Sequence, residues 1–275
     1  MECSFWEFGA IVRHEKARRE TGGAGARRRF DIPAFITSRD SGLDQPANPE
    51  EVLEAAEASV RARGWIAGGR LSDEWYEIVS ALVHGRSLTY LYLTEPGRPE
   101  TRAVAAVSNL AFRIVLRGDQ VWIDEVATSE AERSVVECLP EVNPANGRSV
   151  LLPTELLAAA ALEAENHKAD QGDWIAYELG KADIDPADAR EAGRLARMAD
   201  RVTGQFNVAI RDGVGRKRFA PWAITVHHNS SGRVAQIPQP PDGVEVLVSP
   251  GDVGVIAAAL RGYHEEMRTC AECRR

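Results

Sequence analysis

Two cysteines at the end of the sequence have the spacing of half a zinc or redox site. Cys270 and Cys273 are three positions apart, and His264 precedes them on the same stretch. Two thiolates at this spacing can share a zinc ion, but a tetrahedral site needs two further ligands. The pair also lies where chain ends fray. We therefore expect no metal and no cofactor, and removing the residues after Thr269 should leave folding and zinc content unchanged.

Two neighbouring pairs of titratable residues also suggest chemistry. His227 and His228 resemble a metal-binding pair, and Asp124 and Glu125 resemble a catalytic pair of carboxylates. Both pairs lie in stretches that we predict as strands. Because adjacent side chains of a strand point to opposite faces, neither pair can act on one ion or one proton. We predict no catalytic residues.

Composition and charge also argue against several classes of function. The chain has 275 residues, a net charge of -8 and four cysteines. Arginine-rich runs at 27–29 and 216–218 could grip phosphates, but solvated surface charge is their commoner role. An acidic chain without a phosphate loop, nucleophile elbow or HExxH motif favours neither a nucleic-acid partner nor an enzyme. With no apolar run near 20 residues and no secretory signal, we expect a cytoplasmic protein without a membrane span.

The clearest structural pattern lies in residues 204–260. Phe206, Val208 and Ile210 alternate with polar residues, as in a strand with one buried face. Three more strands are predicted over 220–226, 234–237 and 244–248, separated by turns. Ser249 and Pro250 then predict a helix start. The apolar stripe of this helix consists of Val253, Ile256, Leu260 and Tyr263.

An earlier stretch, residues 88–139, repeats this order. Strands are predicted over 90–93, 103–107, 110–116 and 121–126, and the helix that follows has a capping box at Ser129 and Glu132. The repetition predicts an internal duplication with approximate two-fold symmetry.

Each predicted sheet unit is introduced by helices. Helices are expected from Asn48–Pro49, from Ser72, from Pro153 and from Asp185–Pro186, the last extending to Val202. Residues 163–181 predict a charged loop or lid. The fold class is α+β with mainly antiparallel strands, in a single domain whose similar halves span about 50–140 and 150–267. Residues 1–48 predict only a short ordered piece near Phe5 and an edge strand over 30–36, and residues 268–275 form a tail.

The order of seven short motifs resembles the EspG family of type VII (ESX) secretion chaperones. The resemblance covers about residues 50–267. The first 48 residues match poorly, and His227, His228 and Asn229 stand where family members often have Trp and Asp. The motifs are Ala62-Arg63-Gly64, Val150 to Thr154, Gly204-Gln205-Phe206, Arg211-Asp212, Gly215 to Arg218, Ser231-Gly232-Arg233 and Ser249 to Asp252.

The resemblance implies a central twisted sheet flanked by helical subdomains. It also implies a non-enzymatic cytosolic chaperone that binds a PE–PPE heterodimer through the helical tip of its PPE subunit. The implied partner-binding elements are the loop 95–100, the helix 186–202 and the helix from Val253. The implied partner-binding residues are Glu95, Pro96, Gly97, Arg98, Pro99, Glu100, Val253, Ile256 and Leu260.

Three alternatives stay open at this stage. Two prolines in a short loop reduce the entropy lost on docking, which suits recognition, but the loop 95–100 could equally be a plain hairpin turn. A small-ligand-binding protein or enzyme with a site in the sheet cleft is the alternative to the chaperone, and a nucleic-acid module built on the arginine runs is a weaker one. Neither the client nor a weak homodimer can be read from the sequence.

Overall fold

The computed structural model describes residues 1–21, 30, 32, 48–167, 170–197, 203–213 and 215–270. Within these ranges the helices are α1 (Phe5–Thr21), α2 (Pro49–Ala62), α3 (Asp73–His84), α4 (Ala131–Val136), α5 (Thr154–Ala164), α6 (Gln171–Lys181), α7 (Pro186–Ala196) and α8 (Val253–Thr269). A single 3-10 turn over Thr128–Glu130 precedes α4. The strands are β1 (Glu2–Ser4), β2 (Ile66–Ala67), β3 (Arg70–Leu71), β4 (Ser87–Thr94), β5 (Thr101–Val107), β6 (Ala111–Arg117), β7 (Gln120–Val126), β8 (Val150–Pro153), β9 (Thr203–Arg211), β10 (Lys217–Phe219), β11 (Ile224–Asn229), β12 (Gly232–Pro238) and β13 (Glu245–Pro250).

Eleven of these strands form one antiparallel sheet in the order β1-β7-β6-β5-β4-β9-β11-β12-β13-β8, with β10 paired to β9. β4 and β9 meet at the centre along their whole length, and Leu91 lies opposite Phe206. Successive strands of each half then follow outward from this pair. The prediction of an α+β fold with antiparallel strands is confirmed. That one domain arose from two similar halves stays a prediction.

One face of the sheet is covered at its centre. Phe206, Val208 and Ile210 of β9 are buried there, whereas Gln205 and Asn207 point to the opposite face and keep solvent exposure. Helix α4 packs on β4, β5 and β6, and α8 packs on β9 and β12. The alternation in β9 therefore separates an apolar layer beneath two helices from a polar opposite face.

The opposite face is covered at its two ends. Helix α1 contacts β7, and α3 contacts β5 and β6, with Trp75 fully buried in this core. At the other end α5 and α7 contact β8, α7 also contacts β13, and Leu195 is buried there. Leu116 of the first core and Val248 of the second belong to one row of cross-strand neighbours, which places both cores on the same face. The centre of that face lies between two helical subdomains.

The strand predicted over 220–226 is two strands in the structure. β10 ends at Phe219 and β11 begins at Ile224, and both pair with β9. Pro221 lies between them and cannot donate a ladder hydrogen bond. Trp222 packs into the core beside the ring of Tyr263. The apolar alternation was real, but the proline interrupts the pairing.

The helix predicted to start at Pro153 starts one residue later, and a strand precedes it. Residues 150–153 form the edge strand β8 against β13. Val150 and Leu152 are buried and Leu151 is exposed, which is the period-two pattern of a strand. Four residues of alternation do not by themselves distinguish a strand from a helix start here, because Pro153 is also a favourable residue at the start of a helix.

The loop or lid predicted over 163–181 is wrong. α5 continues to Ala164, and α6 occupies Gln171–Lys181 with Ile175 and Leu179 fully buried. These two apolar residues are four apart, as in an amphipathic helix, although charged neighbours obscured them. Residues 168–169 lie outside the described part of the chain.

Two predicted helix caps differ from the structure. Ser249 and Pro250 belong to β13, and Asp252 caps α8 by accepting hydrogen bonds from the amides of Gly254 and Val255. Ser129 lies inside the 3-10 turn and makes no capping hydrogen bond. Asp185 does cap α7, as predicted.

The N-terminal piece is longer than predicted. α1 runs for 17 residues, and β1 adds to the sheet edge beside β7. The arginine run 27–29, nearly all of the strand predicted over 30–36, the last residues of the helix predicted to reach 202 and the tail from 271 lie outside the described residues.

Helices α6 and α7 cross closely, with Gly172 of α6 beside Gly193 of α7. A Cβ on Gly193 would lie 2.2 Å from the carbonyl oxygen of Gly172 and 3.0 Å from the amide nitrogen of Ala176. Because backbone atoms cannot step aside as a flexible side chain does, we expect Gly193→Ala to lower the free energy of unfolding by about 1–3 kcal/mol in urea denaturation.

Gly180 of α6 provides the matched control for this substitution. Nothing lies within 4 Å of a Cβ built there. Alanine is the better helix former, so Gly180→Ala should leave stability unchanged or raise it by up to about 1 kcal/mol. Equal effects of the two substitutions would show that the crossing does not depend on Gly193.

Candidate functional site

A row of polar residues crosses the open centre of the sheet between the two helical subdomains. Tyr92 lies opposite Arg102 on one side and Gln205 on the other. Thr225 lies opposite Gln205, and Gln236 opposite Thr225. The row therefore spans five neighbouring strands, from β5 to β12.

The row is available to solvent over most of its length. Gln205 is exposed, and Tyr92, Thr225 and Gln236 are half-buried. Beside it, the side-chain oxygen of Asn207 is buried and has no hydrogen-bond partner among the described residues. Such a surface offers amide, hydroxyl and phenol groups to a partner that brings hydrogen-bonding groups of its own. The sequence indicates this row through the polar residues that alternate with apolar ones along the strands. Our sequence prediction used only the apolar residues of that alternation.

The loop 95–100 borders this row at the end of β4. The amide of Arg98 donates to the carbonyl of Glu95 at 3.1 Å, and Gly97 has a positive φ of 72° that suits glycine. The Arg98 side chain is 68% exposed and makes an ion pair with Glu95 at 3.2 Å. Pro96 and Pro99 are also exposed, so the middle of the loop is open to contact.

Glu100 has a different role from the rest of the loop. Its carboxylate accepts hydrogen bonds from the Tyr92 hydroxyl and from Arg102. Arg102 is almost fully buried. Partial burial alone would raise the pKa of Glu100, but the two hydrogen bonds outweigh it and hold the pKa below its ordinary value. Glu100 thus fixes the loop to the polar row and balances a buried guanidinium.

The loop shares one end of the sheet with the other elements implied in partner binding. β4 and β13 run in the same direction, so Thr94 and the residue before α8 lie at the same end. Four strand spacings separate them, or about 19 Å. The C-terminal end of α7 lies there too, because the ring of His227 hydrogen bonds to the Leu195 carbonyl at 3.1 Å. Burial lowers the pKa of His228, and the nearby Glu95 carboxylate opposes that shift.

Two of the three α8 residues predicted to bind a partner lie inside the protein. Ile256 and Leu260 are fully buried in the core beneath α4 and α8, and Val253 is half-buried at its margin. In this conformation Ile256 and Leu260 cannot contact a partner; they hold the helix to the sheet. Val255 is a large apolar side chain that α8 does expose, at 39%.

The residues first considered for chemistry are not brought together. His227 is buried and His228 half-buried on opposite faces of β11, and Asp124 pairs with Arg113. Cys270 ends the described chain, so the full cysteine pair lies outside it. Among the described residues, no group of three or more His, Cys, Asp and Glu side chains could hold a metal ion. No helix in that part of the chain is long and apolar enough to cross a membrane.

Comparison with known proteins identifies the family. The profile described as the EspG family matches residues 17–262, which is most of the chain. The chain belongs to the EspG family. EspG proteins are non-enzymatic secretion chaperones, so the prediction of a non-enzymatic chaperone is confirmed and the enzyme alternative is not retained. Comparison with curated proteins gave no match.

A solved structure supports the fold of this EspG protein. The structure is the Mycobacterium tuberculosis type VII secretion system chaperone EspG5 in complex with a PE25–PPE41 dimer. The TM-score is 0.65 and the identity 14%, with 95% of this chain and 94% of that chain covered. At this identity the likeness concerns the fold. The match begins well before residue 48, so the family resemblance extends into the N-terminal segment that the sequence motifs left out.

Proposed function

We propose that this EspG protein is a cytoplasmic chaperone that binds a PE–PPE heterodimer at the helical tip of the PPE subunit, before type VII secretion. The observation that carries the proposal is the family match over residues 17–262. EspG5 has the same fold and was solved in complex with a PE25–PPE41 dimer, which supports this class of client. Co-expression with PE–PPE pairs from the same genome, followed by co-purification as a stable complex, tests the proposal.

The proposed binding surface is the end of the sheet that holds the loop 95–100, the polar row and the end of α7. A helical tip that exposes apolar residues aggregates unless it is covered. The subdomain α5–α7 exposes Leu162 at 62% and Tyr177 at 59%, which offers apolar contact area. The polar row and the exposed Arg98 would select among clients, because a mismatched charge costs more than a matched one gains.

Charge reversal at Arg98 tests the loop within this surface. We expect Arg98→Glu to weaken client binding by roughly tenfold, mainly through slower association, because rim charges steer encounter. Stability should change by no more than about 0.5 kcal/mol, since this side chain is largely exposed. Affinity and association rate are measured by surface plasmon resonance.

The matched control is Arg70→Glu, which reverses an exposed charge on β3 in the other helical subdomain. Glu100 is unsuitable for the same experiment, because its loss would leave the buried Arg102 without this carboxylate. If Arg98→Glu and Arg70→Glu both bind the client as the wild type does, the loop is not part of the binding surface. The family function would still stand, because co-purification tests it separately.

A further inference from the structure

We propose that a cavity between α8, α4 and the beginning of β4 binds a small polyanion that carries phosphate groups. The cavity has a volume of about 570 Å³, which is within the usual range for small-molecule sites. It lies at the opposite end of the sheet from the loop 95–100, because β4 begins beside it and ends at that loop. The site is therefore separate from the proposed client surface.

Three arginines line the cavity and outnumber its two carboxylates. They are Arg86, just before β4, and Arg261 and Arg268 of α8. No described carboxylate lies within the 4.0 Å that defines an ion pair for any of the three. In a chain of net charge -8, three guanidinium groups against two carboxylates give this cavity a positive balance. Guanidinium groups bind phosphate oxygens with paired hydrogen bonds, which favours this class of ligand.

The inner wall of the cavity carries polar groups that a purely structural core would avoid. His264 is 1% exposed, and its Nε2 lies 3.0 Å from the Thr89 hydroxyl and 3.7 Å from Glu132. The Nδ1 of His264 is buried and has no hydrogen-bond partner among the described residues. Buried polar groups cost stability unless they are satisfied. Binding of a polar ligand in the cavity would account for these buried polar groups, which packing alone does not explain.

The spacing of the α8 residues explains how one helix lines the cavity and also packs on the sheet. Arg261, His264 and Arg268 are at positions i, i+3 and i+7, so they lie on one side of the helix. The apolar residues Leu260 and Tyr263 hold the neighbouring side to the sheet. α8 thus presents a polar stripe to the cavity rather than to open solvent.

The lining also restricts the ligand. Hydroxyl groups of Ser87, Thr128 and Ser129 add hydrogen-bond donors to those of the arginines, and Val107 is the apolar side chain among the lining residues. The cavity therefore has little apolar surface on which an aromatic or aliphatic group of a ligand could pack. Glu132 and Glu265 also face the cavity, so an anion must carry several charges to gain from the arginines.

Titration calorimetry with tripolyphosphate tests the proposal. We expect saturable binding with one ion per protein and a rise in melting temperature. Arg268→Gln should weaken binding about tenfold, because a charge-assisted hydrogen bond is lost. The triple variant Arg86→Gln, Arg261→Gln, Arg268→Gln should show no measurable binding. Circular dichroism checks that the variants fold, and the single variant keeps the test valid if the triple variant does not.

Two further variants separate a built site from general charge attraction. Glu132→Gln should tighten binding, because it removes a carboxylate that faces the ligand. The paired control Arg70→Gln, Arg190→Gln removes two exposed arginines elsewhere and should bind as the wild type does at the same ionic strength. The proposal is overturned if tripolyphosphate does not bind saturably, or if the control variant loses as much affinity as Arg268→Gln.

Discussion

Replacing Leu260 by alanine is expected to lower the free energy of unfolding by about 3 kcal/mol, within the range of 2–5 kcal/mol for buried leucines. Leu260 is fully buried between α8 and the central strands. The substitution removes apolar contacts and leaves a cavity that the sheet cannot fill, because the core residues of β9 are fixed by the backbone ladder. Chemical denaturation monitored by circular dichroism measures the loss.

Leu260→Ala also decides between two roles of α8. If the residue only supports the fold, client affinity measured on the fraction that remains folded should be unchanged. Val255→Ala is the matched control, since Val255 is on the same helix but 39% exposed and should cost less than about 1 kcal/mol. A variant that keeps its stability but loses the client would return Leu260 to the binding surface and require α8 to move on binding.

Acidification below pH 6.5 is expected to destabilise the protein through two buried histidines. Burial lowers the pKa of His264 to about 3 and also lowers the pKa of His227. Both are neutral in the folded protein, whereas in the unfolded chain they bind a proton below their ordinary pKa of 6.5. The unfolded state therefore gains protons first as the pH falls. The stability present above pH 6.5 is lost as the pH falls from 6.5 toward the folded pKa values.

For His264 the expected loss between pH 6.5 and pH 5 is about 1.6 kcal/mol, because the slope rises toward about 1.4 kcal/mol per pH unit as the unfolded chain takes up one proton. His227 adds a loss in the same direction. Glu132, whose pKa is raised by burial, acts in the opposite sense, because the folded state takes up its proton first. Arg268 adds to the shift of His264 by repelling its charged form. Comparing the wild type with His264→Gln separates the contribution of His264 to the pH dependence of stability from the contributions of these neighbouring groups.

The variant His264→Gln keeps a polar group near Thr89 but cannot titrate. Its unfolding free energy should fall less steeply with acid than that of the wild type, by about one proton's slope. Urea denaturation at several pH values gives both curves. Parallel curves would mean that His264 binds its proton equally well in the folded and unfolded states and that its burial does not control the acid response.

The pattern of residues alone predicts most of the sheet. In β9 the alternation of Phe206, Val208 and Ile210 with polar residues identified a half-buried strand, because a pleated strand divides its side chains between two faces. The order of short motifs also indicates the EspG family, which the family match over residues 17–262 confirms. The local sequence is insufficient where the same residue suits two different structures. Pro153 suits both a helix start and the last residue of an edge strand, and only the neighbouring β13 decides between them.

The candidate surface was decided by the tertiary structure. Ile256 and Leu260 read equally well as an exposed apolar stripe or as a core stripe, because periodicity shows that a face is apolar and not what covers it. Glu100 looks like any loop carboxylate in the sequence. It becomes structural because the fold brings Tyr92 and the buried Arg102 to it.

The polar row and the arginine-lined cavity depend on long-range placement as well. Tyr92, Gln205 and Thr225 become neighbours only through the register of three strands. They stay open to solvent because the two helical subdomains cover the ends of that face and not its centre. Arg86 and Arg268 are far apart in the sequence, and the path of α8 across the sheet brings them to one cavity. Local patterns specify elements, whereas the positions of packed layers decide which polar groups meet and which remain exposed.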